Sequence, residues 1–122
     1  MKIFIAHSSI YNYKQELYSP IQNSNLFRVH TIILPMLHSR YEVSQETIRS
    51  CDLVIAEVSF PSTGAGIEIG YADVFKIPII CVYKKGSTPS GALKKITDLF
   101  FEYKDANELI ELLEIQLENK HK

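Results

Sequence analysis

The sequence predicts an α/β fold, a parallel sheet sandwiched between helices. Three observations lead there. Apolar, β-branched runs alternate five times with stretches of helical character. Two of these runs, DLVIAEV at Asp52–Val58 and IPIICVY at Ile77–Tyr83, are apolar almost throughout, as expected of strands covered on both faces. The 122 residues, 46% of them hydrophobic, supply one sizeable core, so the chain is expected to form a single domain over 1–122.

In chain order, KIFIA at Lys2–Ala6 reads as strand 1, ending at His7-Ser8-Ser9. Tyr11–Gln22 places Tyr11, Leu17, Tyr18 and Ile21 roughly on one helical face, with Pro20 expected to disturb the last turn. VHTIIL at Val29–Leu34, closed by Pro35, reads as strand 2. Tyr41–Ser50 is a short polar helix candidate, Asp52–Val58 is strand 3, and Pro61–Gly66 is a loop. A helix over Ala65–Phe75 carries Ile67, Tyr71, Ala72 and Phe75 at helical spacing. Ile77–Tyr83 is strand 4, Lys84–Ser90 a polar loop, Ala92–Thr97 a short helix and Leu99–Tyr103 strand 5. Ala106–Asn119 is an amphipathic helix with Asp105 as its N-cap. Right-handed crossovers leave few topologies for this alternation. The expected one is a flavodoxin-like (Rossmann-like) three-layer sandwich with a five-stranded parallel sheet in the order 2-1-3-4-5. In such sheets ligands bind beyond the carboxyl ends of the strands, at the switch point between strands 1 and 3. The loops there are His7–Tyr13 and Phe60–Gly66.

Composition excludes several functions. Thirteen basic and 14 acidic residues give a net charge of −1, not the basic excess of a nucleic-acid binder. Lys120-His121-Lys122 reads as a solvated tail. Cys51 and Cys81 sit beside strand-like runs, as buried free thiols do, with no second Cys or His at metal-ligand spacing. Neither a metal site nor a cofactor is expected. Ile77–Tyr83 is too short to span a bilayer. The N-terminus enters a strand without a signal-peptide layout, so the expected location is cytoplasmic.

The stretch with most chemical content runs from Ala56 to Ala72. It leaves a buried strand, turns through Pro61-Ser62-Thr63-Gly64-Ala65-Gly66, and enters a helix. Backbone N–H groups at a helix start bind anions, Gly64 and Gly66 allow close approach, and the Ser62 and Thr63 hydroxyls add donors. Glu68 either caps its own helix through the dipole or faces the switch-point crevice, where a carboxylate can attack a sugar carbon. Asp52 reads as a strand-end residue. Glu57 either lines the pocket or pairs with a basic side chain. His7 either faces the ligand or is structural, and Tyr11 and Tyr13 are candidates for stacking on a base.

The run D-L-V-I-A-E-V-S-x-P-S-x-G-x-G-x-E-I-G-Y-A resembles the core motif of the nucleoside 2-deoxyribosyltransferase superfamily. The nearest branch is the 2′-deoxynucleoside 5′-phosphate N-hydrolases. The strand IPIICVY, the loop STPSGAL and the opening KIFIAHSS fit as well. The resemblance implies Glu68 as catalytic nucleophile, Ser62 as a phosphate-binding serine, and Ser90 as a second one supplied by the partner subunit of a homodimer. It also implies Ser8, beside His7, in the loop lining the nucleotide pocket. The implied ligand is a nucleoside or nucleoside 5′-monophosphate. The chain departs from the pattern where the family's Asp, in the helix before strand 3, falls at Ser44, with Glu42 and Glu46 nearby. His7 stands for a Gly, and Phe4 for a Tyr. Base exchange, a non-catalytic nucleotide-binding module, and a TIR-like signalling domain with a similar opening strand are the alternatives.

Overall fold

A computed structural model describes residues 1–37 and 45–121. The strands β1 (Lys2–His7), β2 (Thr31–Ile33), β3 (Leu53–Glu57), β4 (Ile79–Lys84) and β5 (Phe100–Tyr103) form one sheet. Its order is β2-β1-β3-β4-β5, with every neighbouring pair parallel. The helices are α1 (Ser19–Gln22), α2 (Asn25–Val29), α3 (Gln45–Arg49), α4 (Thr63–Val74) and α5 (Ala106–His121), with a 3₁₀ turn at Gly91–Lys95. This is the expected fold class and strand order.

Alternation along the strands splits the core into two layers. On one face Ile3, Ile5, Leu53, Ile55 and Ile80 pack with Leu17, Tyr18, Ile21 and with Leu109, Leu113 and Leu117 of α5. On the other, Phe4, Ala6, Val54, Ala56 and Cys81 pack with Ile48 of α3 and with Ala65, Ile69 and Ala72 of α4. Among the described residues no helix is long and apolar enough to cross a membrane.

Several element boundaries differ from the sequence reading, each for a local reason. Strand 2 is shorter than Val29–Leu34. The His30 amide donates to the Leu26 carbonyl, closing α2 through Val29, and pairing with β1 begins only at Thr31. Tyr11–Gln22 is not one regular helix. It opens with a π turn at Lys14–Tyr18, in which the Ser19 amide donates to the Lys14 carbonyl, and Pro20 follows in the first turn of α1. An imino nitrogen cannot donate to the carbonyl four residues back, so the wider turn precedes it. α4 starts at Thr63 rather than Ala65, because the Ser62 hydroxyl caps it by accepting from the Ala65 amide at 3.1 Å. β4 starts at Ile79, past Pro78, which has no N–H for the ladder. Asp105 caps α5 as expected, its Oδ1 accepting from the Glu108 amide at 2.9 Å.

α4 ends on an unusual residue. Lys76 has φ 60°, the left-handed region normally filled by glycine. Its amide donates to the Asp73 carbonyl at 3.1 Å, and that of Ile77 to the Ala72 carbonyl at 2.9 Å.

Candidate active site

The parallel register brings the carboxyl ends of β1 and β3 together, with His7 opposite Glu57. The loop after β3 then turns into α4 at the capping Ser62. Two cavities flank this turn. The smaller, about 110 Å³, is lined by His7, Ser9, Met36, Ser62 and Gly64. The larger, about 240 Å³, is bordered by Glu57, Phe60, Ser62, Gly66, Thr88 and Ser90, among others. Ser62 borders both. Thus His7, Ser62 and Gly64 meet in one cavity, while Ser62, Gly66 and Ser90 of the same chain meet in the other. Ser8 lines neither. It is buried, and its hydroxyl accepts from the Ile10 amide at 3.2 Å, holding the turn that presents Ser9. A Cβ on Gly66 would meet nothing within 4 Å, so that glycine leaves open space rather than meeting a conformational demand.

Glu68 is fully buried, at 0% exposure. Because α4 begins at Thr63, Glu68 stands in the second helical turn, beyond the strongest reach of the terminal dipole. The reading of Glu68 as a first-turn cap of its own helix therefore fails. Glu68 is a lining residue of neither cavity; it stands one helical turn from Gly64, which lines the smaller one. The Glu68 charge is felt at the Tyr18 hydroxyl, contributing to the upward shift of that phenol, whose main cause is burial.

His7 is held at both ring nitrogens. Nδ1 donates to the Ser8 carbonyl at 2.8 Å, which leaves Nε2 of the neutral ring to accept from the Tyr18 hydroxyl at 2.6 Å. Tyr18 in turn accepts from the Met36 amide at 2.9 Å. Burial pushes the imidazole below its usual range, partly opposed by the bond to the Ser8 carbonyl. His7 is therefore a neutral wall of the cavity with its polar atoms committed. The Tyr13 ring stands 4.7 Å from it, centroid to centroid. Sequence reasoning counted Tyr18 as one more position on a helical stripe. Only the π turn and the return of the chain at Met36 reveal its role.

Glu57 is 1% exposed. Its Oε1 accepts from the Ser59 amide at 2.7 Å, and its Oε2 from the Ser59 hydroxyl at 2.8 Å and from the Tyr103 hydroxyl. The Ser59 hydroxyl accepts from the Lys84 amide at 2.8 Å. These partners are hydroxyl and amide donors, not basic side chains. Burial, aided by the nearby Glu57 charge, drives the Tyr11 and Tyr103 phenols upward. Tyr11 packs on Phe60 with centroids 5.1 Å apart, and the Lys84 ammonium lies 4.7 Å from the Tyr11 centroid while pairing with Glu16. Asp52 is an exposed strand-end residue whose Oδ2 accepts from the Lys2 amide at 2.8 Å. Cys51 and Cys81 are buried free thiols, Cys81 pushed up to about 11 by burial. Among the described residues no cluster of His, Cys, Asp and Glu could hold a metal ion. Ser44 and Glu42 lie outside the described residues, and Glu46 is exposed on α3.

Comparison with known proteins agrees with this architecture. A protein of Syntrophotalea carbinolica, provisionally named 2′-deoxynucleoside 5′-phosphate N-hydrolase 1, is 40% identical over 79 residues, covering 61% of this chain and 54% of that protein. The chain resembles the nucleoside 2-deoxyribosyltransferase superfamily, and within it the N-hydrolase branch. It spans about half the length of that curated relative. The superfamily's fold is shared as well. A Clostridium botulinum CMP N-glycosidase superposes with a TM-score of 0.67 at 20% identity, covering 93% of this chain and 99% of that one. A 2-deoxyribosyltransferase of Bacillus psychrosaccharolyticus gives a TM-score of 0.62 at 20% identity, covering 89% and 90% respectively. No family model matches the chain.

Proposed function

We propose that this protein cleaves the N-glycosidic bond of (deoxy)nucleoside 5′-monophosphates, with Glu68 as nucleophile. The observation that carries the reading is a fully buried carboxylate on α4 one helical turn from Gly64, a residue that lines a cavity together with His7, Ser9 and Ser62. A carboxylate kept from water in such a place suits attack on a carbon that becomes cationic. As the bond from C1′ to the base nitrogen breaks, the sugar acquires oxocarbenium character. Glu68 stabilises that charge and bonds to C1′, and the base leaves with the electron pair of the broken bond and takes up a proton. Water then attacks C1′ and releases Glu68.

The 5′-phosphate sits at the Ser62–Gly64 turn. The Ser62 oxygen already accepts from the Ala65 amide, so its proton remains to be donated. The Thr63 and Gly64 amides open α4 and point toward an anion. Ser8 holds the turn carrying Ser9, and neutral His7 walls the sugar without adding charge. In the homodimer that this reading includes, Ser90 of a second copy completes the phosphate site.

Glu68→Gln keeps the side-chain volume and removes the nucleophile. It is expected to abolish release of free base from deoxynucleoside 5′-monophosphates, read by chromatography, while circular dichroism shows an intact fold. Wild-type turnover in Glu68→Gln removes Glu68 from the mechanism. Adding a second free base separates hydrolysis from transfer, since only transfer yields a new nucleotide.

A further inference from the structure

Helix α4 buries Glu68 on its inner side, and its outer side is unusual for a helix facing water. Thr63, Ile67, Gly70 and Val74 follow one another at helical spacing along the outer stripe, and Asp73 is the one charged residue among the exposed positions of α4. Ile67 is 45% exposed and Val74 75%. A helix that is apolar all round is normally covered all round. A Cβ on Gly70 would meet nothing within 4 Å, so no neighbour among the described residues requires a glycine at the centre of the stripe. What a glycine permits there is close approach of a second backbone.

The two flanks of the stripe differ in charge. On one, Tyr71 stacks on Phe75, and the Arg49 guanidinium of α3 lies 4.5 Å from the Phe75 centroid. On the other stands Asp73, in line with Gly66, which borders the larger cavity with Ser90 and Leu93. Arg49 and Asp73 thus sit at the same level of α4 on opposite flanks. Both are exposed, and neither is in an ion pair among the described residues. A two-fold axis running along the helix pairs α4 with a parallel copy of itself and sets each flank against the opposite flank of its mate. Asp73 then faces Arg49 of the partner subunit, twice over, while Ile67, Gly70 and Val74 meet their own mates at the axis. An antiparallel pair sets like flank on like and leaves Arg49 and Asp73 apart. A standard interface takes about 800 Å² per partner, roughly a ninth of the 6905 Å² surface, so the patch includes both flanks as well as the stripe.

We infer that the outer face of α4, between Arg49 and Asp73, is where a second copy of this chain docks in parallel. Gly64 lies in line with Tyr71, so the same arrangement turns the Ser90 flank of one copy toward the Gly64 flank of the other. In that respect alone the inference rests on the proposed glycosidase reading, whose phosphate site draws Ser90 from a second copy.

Sedimentation velocity of the full chain is expected to show a dimer. Val74→Asp brings two carboxylates together at the axis and should weaken association at least ~100-fold. Val74 is exposed, so circular dichroism of this variant should stay native. Asp73→Arg and Arg49→Asp should each weaken the dimer ~10-fold. Mixed together, these two variants regain both complementary pairs and should form heterodimers about as tight as wild type. A monomeric wild type, or a Val74→Asp that dimerises like wild type, overturns the inference. Dimers insensitive to the charge variants, or variants that do not recover on mixing, overturn the parallel pairing. Should Arg49→Asp fail to fold, Asp73→Arg alone carries the charge test. Base release by a protein that sediments as a monomer leaves the glycosidase reading standing without this interface. Dimers that release no base leave the interface and overturn that reading.

Discussion

Tyr18→Phe isolates the hydroxyl that ties β1, the π turn and the chain at Met36 together. Tyr18 is 1% exposed, so the substitution leaves the ring packed and deletes one oxygen. Two bonds go with it, the 2.6 Å donation to His7 Nε2 and the 2.9 Å acceptance from the Met36 amide. His7 is 3% exposed, and its Nε2 is left without that donor. A buried group stranded in this way costs about 1–3 kcal/mol. The Met36 amide is only partly buried and water replaces much of its lost bond, adding about 0.5 kcal/mol. The expected loss is about 1.5–3.5 kcal/mol, which at a slope near 2 kcal/mol per molar urea lowers the unfolding midpoint by about 0.8–1.8 M. The hydroxyl also favours the neutral imidazole by donating to it, so Tyr18→Phe should raise the His7 pKa from its depressed position in an NMR titration. A loss under about 0.5 kcal/mol with an unmoved His7 titration would refute the hydrogen-bond chain as drawn.

Two further outcomes follow from the same coordinates. His7 is held below its unfolded value of 6.5 by burial, so as pH falls through about 6.5 the unfolded chain takes up a proton before the folded one. Stability from this group is complete above that pH. It declines below it, by at most about 1.4 kcal/mol per pH unit, until the folded pKa is reached. Urea midpoints measured from pH 5 to 8 should show this decline in wild type and a flatter profile in His7→Gln. At the end of α4, Lys76→Gly relieves a left-handed backbone at φ 60°. It should stabilise the fold by about 0.5–1 kcal/mol, net of glycine's greater freedom when unfolded, and thermal melting at or below wild type would contradict that account.

The fold was legible because its signals are local and repeated. Five apolar runs of strand length, two of them covered on both faces, leave little besides a parallel sheet, and the crossover rule then restricts strand order. Element ends were less legible, because they depend on single hydrogen bonds. The Ser62 cap starts α4 at Thr63, and the Leu26–His30 bond takes Val29 from strand 2. The small residues and hydroxyls of the Ser62–Gly66 turn could be picked out by residue type. Tyr18, Ser59 and Tyr103 could not, since nothing in their sequence neighbourhoods says what they will face.

By itself, then, the sequence determined the fold class, the strand order, the switch-point loops and the candidacy of Glu68, all properties of periodicity and residue type. The tertiary structure decided which side chains share a cavity. Glu57, Ser59 and Tyr103 converge because β3 and β5 flank β4 in the sheet, and His7 is held by the hydroxyl of a tyrosine eleven residues on, itself bonded to the amide of Met36. Such pairings depend on which strands lie side by side and on a π turn that rotates one hydroxyl inward. Both are long-range consequences of packing, and no window of neighbouring residues encodes them.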